Sequence, residues 1–466
     1  MSEFSVEDIA NVTQGRVVQG GRTTRVRTYS IDSRTLAAGD FFIALRGPRF
    51  DGHEFVAAVA DGGASGALVS DLRPDTLLLQ NFPVVRCSDT TLGLQRLGTE
   101  SRRRWAGTLI AVTGSAGKTT TKDFIAELLG GGGEVFRAAG NYNNQYGLPL
   151  VLLGLAPSQK RGVVELGMNH AGEIRQLAQM ALPDVGVLTN VAEVHLEFFQ
   201  NIEEIAEAKA ELMEGIQPDG FVAFNEDDPQ LRRVVSRFGG RKIGFGFDAG
   251  TVRAHTIRVT APDRTEWTLE IDGRDYPAVL PLAGRHYLYA ALAAAAVASG
   301  LGIEPAKIVG RFGRLRAGEH RGQWLRFEAG FAVVDDSYNS NPRALQLMVK
   351  NLAELPGFRR RWVVAGEMLE LGPEGPALHR QCGKAIAAAG IDRLVGVRGN
   401  ANWICQAAID HGLSPDRVSF CASGAEAYEI LRRSLQPGDV ALVKGSRGVK
   451  LEEIVERLTA DFARAD

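Results

Sequence analysis

One stretch, residues 108–129 (TLIAVTGSAGKTTTKDFIAELL), constrains the fold more than any other part of this chain. Residues 108–112 are β-branched or apolar, which is typical of a buried strand. A glycine-containing turn at residues 113–120 follows, and the pattern then becomes that of an amphipathic helix. Backbone N–H groups and the helix dipole at such a turn favour an anion, and the lysine adds a point charge. The stretch therefore predicts a site for the phosphates of a nucleoside triphosphate.

The turn is a short version of the P-loop. Val112 stands where the usual motif has a glycine, five residues before its Gly-Lys pair. We expect the loop and the first turn of the helix to surround the phosphates, with Thr119, the first hydroxyl after the lysine, as a ligand of Mg²⁺. The predicted nucleotide-binding residues of this loop are Gly114, Ser115, Ala116, Gly117, Lys118, Thr119 and Thr120.

The composition is that of a soluble globular protein, with 45% hydrophobic and 23% charged residues. The formal net charge of -2 gives no sign of a surface for nucleic acid or for a membrane. The four cysteines lack CxxC or zinc-like spacing, so we expect buried thiols in a reducing compartment. The N-terminus does not resemble a signal peptide, and the alanine-rich segment 287–303 is too weakly apolar for a membrane span. We therefore expect a cytoplasmic monomer that acts on small molecules.

The length suggests roughly three domains, and strand and helix patterns alternate along the chain as in an α/β fold. We expect a small α/β domain at residues 1–106, and a central P-loop domain with a doubly wound sheet at residues 107–315. A C-terminal domain with an open, Rossmann-like parallel sheet is expected at residues 316–466. No GxGxxG motif is present, so a dinucleotide is not indicated. Arginines near strand ends of the first domain either bind an anionic ligand or lie in ordinary solvated loops.

Three residues of the central region are candidates for chemistry. Glu165 lies within an apolar run, where an unpaired carboxylate is costly, so it needs either a metal ion or a salt bridge. Lys209 falls on the apolar face of a predicted helix. It therefore needs a counter-charge, a depressed pKa or a chemical modification, unless its ammonium reaches the surface. His195 is a lone histidine, a type that is more often structural than a ligand.

Taken together, the motifs of this chain resemble those of the Mur ligase family over nearly its whole length. The resemblance is closest to the F type of that family, and the DNPR sequence of the E type is absent. The segments that carry it are DSR (32–34), FFIALRGPRFDGHEF (41–55), TGSAGKT (113–119), GNYNNQYGLP (140–149), ELGMNHAGEI (165–174), TNVAEVHLE (189–197), AKAE (208–211), DDSYNSNP (335–342), GEMLELG (366–372) and LVKGSR (442–447).

The resemblance implies ATP-driven formation of an amide bond between UDP-N-acetylmuramoyl-tripeptide and D-alanyl-D-alanine, through an acyl phosphate. It implies Mg²⁺ at Thr119 and Glu165, and a second metal site at Glu165, His195 and Lys209, the lysine being carbamylated. Arg321 and Asp336 are expected to hold the phosphates and the ribose from the third domain. The implied catalytic residues are Lys118, Glu165, His195, Lys209 and Arg321. The implied substrate contacts are Ser33, Arg34 and Asn144 for UDP, and Asn339 and Asn341 for the peptide.

The chain departs from the family pattern at the start of the alanine-rich helix. The family has His-Asn-x-x-Asn there, whereas this chain keeps His286 but has Tyr287 and Ala290 in place of the asparagines. We expect His286 and Tyr287 to contact the nucleotide, with the tyrosine stacked on the base. The family's Gly-Arg before the third domain is His320-Arg321 here.

Three other interpretations remain. The first is a ligase of the same superfamily with another substrate, such as folylpolyglutamate synthetase, although residues 1–106 argue against it. The second is a P-loop switch module, but the sequence has no base-reading NKxD motif, and Glu165, His195 and Lys209 would have no purpose in such a module. The third is a degenerate homologue that binds substrate but turns over poorly, as the changes at Tyr287 and Ala290 suggest.

Overall fold

A computed structural model describes residues 3–48, 50–77, 79–138, 140–192, 198–261 and 263–465, apart from the side chain of Leu77. The described residues form three successive α/β units, each with its own parallel-rich main sheet and buried clusters. The predicted fold class is confirmed. In the part of the chain that the structure describes, no helix is both long and apolar enough to cross a membrane.

The first unit is a five-stranded sheet in the order β2-β7-β6-β5-β4, parallel except for the edge strand β2. Its elements are β1 (Phe4–Ser5), α1 (Val6–Thr13), β2 (Arg16–Gln19), β3 (Arg25–Val26), β4 (Tyr29–Ser30), β5 (Phe41–Ile43), α2 (Val56–Asp61), β6 (Gly66–Val69), α3 (Pro74–Leu77), β7 (Val84–Arg86) and α4 (Thr90–Arg104). A capping box starts α1, because Ser5 and Asp8 accept each other's backbone N–H. The loops after β4 and β5 lie at the carboxyl edge of this sheet.

The second unit contains the P-loop in a nine-stranded sheet, ordered β16-β15-β14-β13-β12-β11-β8-β10-β9. Its elements are β8 (Thr108–Thr113), α5 (Lys118–Leu128), β9 (Val135–Arg137), α6 (Gly147–Leu153), β10 (Arg161–Glu165), α7 (Glu173–Ala181), β11 (Val185–Leu188), α8 (Ile202–Ala210), β12 (Phe221–Asn225), α9 (Pro229–Val235), β13 (Arg241–Gly246), β14 (Val252–Ala261), β15 (Arg264–Ile271), β16 (Arg274–Leu280), α10 (Arg285–Gly300) and α11 (Pro305–Phe312). Strands β8 to β14 pair in parallel, whereas β14, β15 and β16 form an antiparallel extension that the sequence patterns did not predict. The alanine-rich helix α10 packs against the P-loop helix α5.

The third unit is a six-stranded sheet in the order β17-β18-β22-β19-β20-β21. Its elements are β17 (Gln323–Arg326), β18 (Ala332–Asp336), α12 (Pro342–Glu354), β19 (Arg360–Gly366), α13 (Gly375–Ala388), β20 (Arg393–Val397), α14 (Ala401–Asp410), β21 (Val418–Cys421), α15 (Gly424–Ser434), β22 (Asp439–Lys444) and α16 (Glu452–Asp461). All pairings are parallel except that of the edge strand β17. The polar loops that follow β18, β19, β20 and β22 therefore meet at one edge of the sheet.

Candidate active site

The P-loop is shaped by two glycines between β8 and α5. Gly114 has φ +152, and a Cβ there would lie 1.9 Å from Oγ1 of Thr189. Gly117 has φ +78 and directly precedes α5, and nothing lies within 4 Å of where its Cβ would be. Gly114 therefore permits close packing on the neighbouring strand, and Gly117 leaves open space at the start of the helix.

Asn190 holds the P-loop from the end of the adjacent strand β11. Its carbonyl oxygen accepts the N–H of Ser115 at 3.0 Å, and its Oδ1 accepts the N–H of Ala116 at 2.9 Å. These two N–H groups are thus engaged within the protein. The N–H groups of residues 118–120 open α5 and have no carbonyl one turn earlier within the helix. An anion at this loop would therefore bind mainly to the start of α5.

Glu165 ends strand β10 beside this helix start. Oγ1 of Thr119 donates to one carboxylate oxygen at 2.6 Å, and Nδ2 of Asn143 donates to the other at 2.9 Å. Burial raises the pKa of Glu165, but the charge of Lys118 and the two hydrogen bonds outweigh it, so the pKa lies below its usual value. The site therefore contains a buried, ionised carboxylate next to the P-loop threonine.

Lys118 lies among groups of both signs. Its Nζ donates to the carbonyl oxygen of Gly114 at 3.0 Å. Burial lowers the pKa of Lys118, the charge of Glu165 opposes that effect, and the charge of Arg321 lowers the pKa further. The structure thus brings the predicted residues Lys118, Glu165 and Arg321 together, and a bound polyphosphate would relieve the repulsion between the two cations.

Lys209 is 2% exposed on the buried face of α8, as the helical pattern predicted. Within the described residues, its ammonium has neither an ion pair nor a hydrogen bond. Burial lowers the pKa of Lys209 well below its usual value, and the nearby charge of Lys118 lowers it further. Both effects disfavour the charged ammonium relative to the neutral amine. His195, which the resemblance implies as a metal ligand together with Glu165 and Lys209, lies outside the described residues.

The third unit adds further charged groups. The guanidinium carbon of Arg321 lies 3.8 Å from the ring centroid of Tyr338. Nζ of Lys444 lies 2.7 Å from Oδ2 of Asp336 and donates to the carbonyl of Asn339 at 2.8 Å. Burial raises the pKa of Asp336, and the charge of Lys444 only partly offsets that rise. A ribose at Asp336 would therefore share its carboxylate with Lys444.

Tyr287 joins the central unit to the third unit. Its hydroxyl donates to the backbone carbonyl of Arg321 at 2.5 Å. Its ring is 3% exposed and is stacked on Phe124 of the P-loop helix, with 6.3 Å between the centroids. The structure thus places Tyr287 at the junction between domains, with one contact to the P-loop helix and one to the third unit.

His286 precedes Tyr287 and is held neutral. Burial, together with the charge of Lys444, lowers its pKa to about 4. The unfolded chain would bind a proton near pH 6.5, so stability should fall as the pH falls from about 6.5 to about 4. The contribution of His286 to the change in the free energy of unfolding should stay below about 1.4 kcal/mol per pH unit.

The pH prediction can be checked by measuring Tm of the ligand-free protein across this range. The decline in Tm should be shallower for His286→Gln than for the wild type, because glutamine does not titrate. Equal slopes for the two proteins would contradict the assignment.

The other predicted contacts lie in loops with local structural roles. Arg34 forms a two-pronged pair with Asp32, whose pKa its hydrogen bonds lower to about 2, and Ser33 lies between them. Asn144 accepts the N–H of Gly147 at 2.9 Å and so starts α6. The two peptide candidates also bond locally: Asn339 accepts the N–H of Ser340, and Asn341 accepts that of Ala344 at the start of α12. No hydrogen bond or ion pair of the described residues joins Ser33 or Arg34 to the P-loop.

Sequence reasoning missed two residues that the structure places at the site. Asn143 donates to Glu165, whereas the resemblance implies a role in that segment, as a contact to UDP, for its neighbour Asn144. Lys444 pairs with Asp336, whereas the LVKGSR segment by itself predicts no role for its lysine. Both stood within segments that carried the family resemblance. Each of the two residues is recognised as part of the site by its partner, Glu165 or Asp336, and that partner lies in a distant segment of the sequence.

A short P-loop on a doubly wound sheet, with a buried carboxylate beside its threonine, defines a phosphate-binding α/β protein. Residues 112–298 match the Mur ligase middle domain, and residues 320–447 match the family model described as Mur ligase, glutamate ligase domain. The chain belongs to the Mur ligase family, as its motifs predicted.

Relatives and solved structures match the chain over almost its whole length. UDP-N-acetylmuramoyl-tripeptide–D-alanyl-D-alanine ligase of Bacillus subtilis is 31% identical, over 98% of this chain and 99% of the relative. The enzyme of the same name from Escherichia coli is 34% identical over the same shares. The crystal structure of MurF from Acinetobacter baumannii superposes with a TM-score of 0.88, at 28% identity and over 99% of each chain. The MurF ligase of Thermotoga maritima in complex with ADP gives a TM-score of 0.82 at 28% identity, over 94% of this chain and 98% of that one.

Proposed function

We propose that this protein joins D-alanyl-D-alanine to UDP-N-acetylmuramoyl-tripeptide and converts ATP to ADP and phosphate. The observation that carries the proposal is the match to ligases of that name over 98% of this chain and 99% of each relative. A shared P-loop region alone would leave the substrate open. The match also covers residues 1–106 and the third unit, which are the domains expected to hold the two substrates. It therefore supports the substrates as well as the use of ATP.

The arrangement around the P-loop supports ATP as the phosphate donor. The first-turn N–H groups of α5 and the ammonium of Lys118 would bind the β- and γ-phosphates. Arg321 would add a second positive charge from the third unit. Negative charge on the transferred phosphoryl group would thus be balanced by fixed groups, which is the main task of a protein in phosphoryl transfer.

The residues beside Lys118 fit a magnesium ion. Mg²⁺ prefers hard oxygen ligands, and Thr119 and the ionised Glu165 present such oxygens 2.6 Å apart. Asn143, which donates to Glu165, would keep the carboxylate oriented. Magnesium, when bound, would neutralise charge on the β- and γ-phosphates during transfer.

Lys209 fits the role of a carbamate. A protonated lysine would repel a metal ion, whereas a buried neutral amine can attack CO₂, form an N–C bond and release one proton. The product carries a carboxylate and would be a suitable oxygen ligand. We propose that this carbamate and Glu165 serve a second metal site together with His195.

The reaction would proceed in two steps. The terminal carboxylate of the tripeptide attacks the γ-phosphorus, the bond to the β-phosphate oxygen breaks, and ADP leaves. The free amine of D-alanyl-D-alanine then attacks the acyl phosphate, and phosphate leaves as the amide forms with loss of a proton. Lys118 and Arg321 would hold the phosphoryl oxygens, so the contribution of the protein is mainly positioning and charge balance.

The domain assignment remains part of the proposal. Residues 1–106 would hold the UDP portion through Ser33 and Arg34, with Asn144 from the central domain. Residues 107–315 would bind ATP, and residues 316–466 would supply Arg321 and Asp336 to the nucleotide and Asn339 and Asn341 to the peptide. We further propose that the protein acts in the cytoplasm as a monomer.

The function is tested by leaving out one substrate at a time. With ATP, Mg²⁺ and UDP-N-acetylmuramoyl-tripeptide present, we expect phosphate release to require D-alanyl-D-alanine, because the acyl phosphate needs the amine to turn over. Phosphate release is measured together with the mass of the nucleotide-linked product. Release that continues without D-alanyl-D-alanine, or that requires glutamate instead, would point to another ligase of the superfamily. No release at all from folded protein would favour a degenerate homologue.

A further inference from the structure

Glu211 is a buried carboxylate that has no part in the reaction described above. It is 7% exposed and lies two residues after Lys209 in the AKAE segment. This spacing alone would suggest a counter-charge for the lysine. Within the described residues, however, the two side chains form no ion pair, and the carboxylate is directed to a different partner.

That partner is the start of helix α7. Oε1 of Glu211 accepts the N–H of Gly172 at 2.8 Å, and Oε2 accepts the N–H of Arg175 at 3.1 Å. Gly172 directly precedes α7 and has no side chain with which to cap it. The first N–H groups of a helix have no partner within the helix, and a carboxylate beside them also interacts favourably with the helix dipole. Glu211 therefore caps α7 from a segment that is distant in sequence.

The backbone of Glu211 continues the helix that carries Lys209. Its own N–H donates to the carbonyl of Glu207, so residue 211 closes the last turn of α8. Lys209 lies in that turn, on its buried face. Because the residues of one helical turn are joined by such hydrogen bonds, a carboxylate that fixes residue 211 also fixes the backbone from which the amine of Lys209 extends.

Helix α7 is in turn joined to Glu165. Only residues 166–171 separate that carboxylate from the residue that precedes α7. The N–H of Leu166 donates to the carbonyl of Val112 on the P-loop strand at 2.9 Å, which fixes the near end of this segment. The hydrogen bonds of Glu211 fix its far end. The segment is therefore held by the P-loop strand on one side and by the end of α8 on the other.

We propose that Glu211 is a positioning residue that sets Lys209 relative to Glu165 and so determines how readily the carbamate forms. The inference rests on the proposed function, in which Glu165 and the carbamate serve one metal site. The carbamate reverts to the amine when its N–C bond breaks, CO₂ leaves and the nitrogen takes up a proton. Groups that bind the carbamate but not the amine oppose this reversal. A displaced Lys209 would therefore be carbamylated less at a given concentration of CO₂.

The test compares Glu211→Gln with Glu214→Gln. Glutamine has one acceptor oxygen, and its amino group would face a backbone N–H. Glu214 is a matched control, because it lies in the same 3₁₀ turn and also binds Arg175, but only through the guanidinium. Each protein is loaded with Mg²⁺ and ADP and titrated with ¹³C-labelled bicarbonate, and the carbamate is followed by ¹³C NMR. The carbamate signal is the one that Lys209→Ala lacks.

For Glu211→Gln we expect half-occupancy of the carbamate at about tenfold more bicarbonate, since residues that orient a metal ligand typically contribute about 10–100-fold. Glu214→Gln should match the wild type. The kcat of Glu211→Gln should fall about tenfold at low bicarbonate and recover in part at high bicarbonate, whereas KM for ATP should not change. A role in stability alone would lower Tm and leave the bicarbonate titration as in the wild type.

An unchanged titration in folded Glu211→Gln, or an equal shift in both variants, would overturn the proposal. If Glu211→Gln does not fold, Glu211→Asp replaces it, because aspartate keeps the charge but withdraws it by about 1.5 Å, and the same shift is expected. A wild type without a signal that depends on Lys209 would overturn this role together with the carbamate. Phosphate release that does not require D-alanyl-D-alanine would instead refute the proposed substrates and leave the titration valid.

Discussion

Lys209→Ala should lose phosphate release that depends on D-alanyl-D-alanine, by about 10²-fold or more, and short carboxylic acids should restore part of it. The loss is expected because the variant removes the proposed carbamate next to the transferred phosphoryl group, and one such stabilising group is worth about 10²–10³ in kcat. The rescue is expected because acetate or formate can place a carboxylate in the vacated space. Initial rates with and without each acid provide the measurement.

Two controls sharpen this prediction. Acetate should not raise the rate of the wild type. Lys209→Arg keeps a permanent cation and cannot form a carbamate, so it should be inactive and should not respond to acetate. If Lys209→Ala retained full activity, the carbamate role would be refuted. If Lys209→Arg were active, the site would need a positive charge at residue 209, and the carbamate role would be wrong.

Glu165→Gln should lower kcat by about 10²–10³-fold and raise the Mg²⁺ concentration needed for half-maximal rate. Glutamine keeps the shape and can still accept the hydrogen bond from Thr119, but it removes the negative charge that faces Lys118. The rate is measured as a function of Mg²⁺ at saturating ATP. The change should therefore appear as a metal dependence as well as a lower rate.

Glu173→Gln is the matched control for this variant. Glu173 lies in the same ELGMNHAGEI segment, but its side chain binds the N–H of Asn169 and the ring of His170. It should keep nearly wild-type kcat and Mg²⁺ dependence. An equal loss in both variants would mean that the segment is disturbed as a whole, and the specific role of Glu165 would be withdrawn.

Patterns of neighbouring residues predicted the secondary structure around the P-loop and the burial of Lys209. The end of the P-loop strand and the end of the following helix lie within one residue of the expected limits, because apolar periodicity acts over a few residues. The helix starts at Lys118, three residues earlier than expected, because the residues after Gly117 already belong to its first turn. The burial of Lys209 followed from the same periodicity on α8. The antiparallel strands β14–β16 were missed, because exposed polar residues on one face weaken the apolar signal of an edge extension.

Contacts between distant segments were beyond the reach of such patterns. The role of Asn143 depends on its side chain reaching Glu165, 22 residues away. The partner of Lys444 lies 108 residues away on β18, and only the parallel pairing of the two strands brings them together. Tyr287 could be expected near a nucleotide, but its bond to the carbonyl of Arg321 depends on how two domains meet.

The hydrogen bond between Tyr287 and Arg321 links two domains without depending on the identity of the side chain at residue 321. Its acceptor is a main-chain oxygen, which every amino acid possesses, and a Cβ on Gly322 would come within 2.2 Å of the tyrosine hydroxyl. The contact between residues 287 and 322 therefore links the domains without using the side chain at 321. Evolution could alter the chemistry presented to the phosphates at residue 321 without redesigning the architecture that carries it.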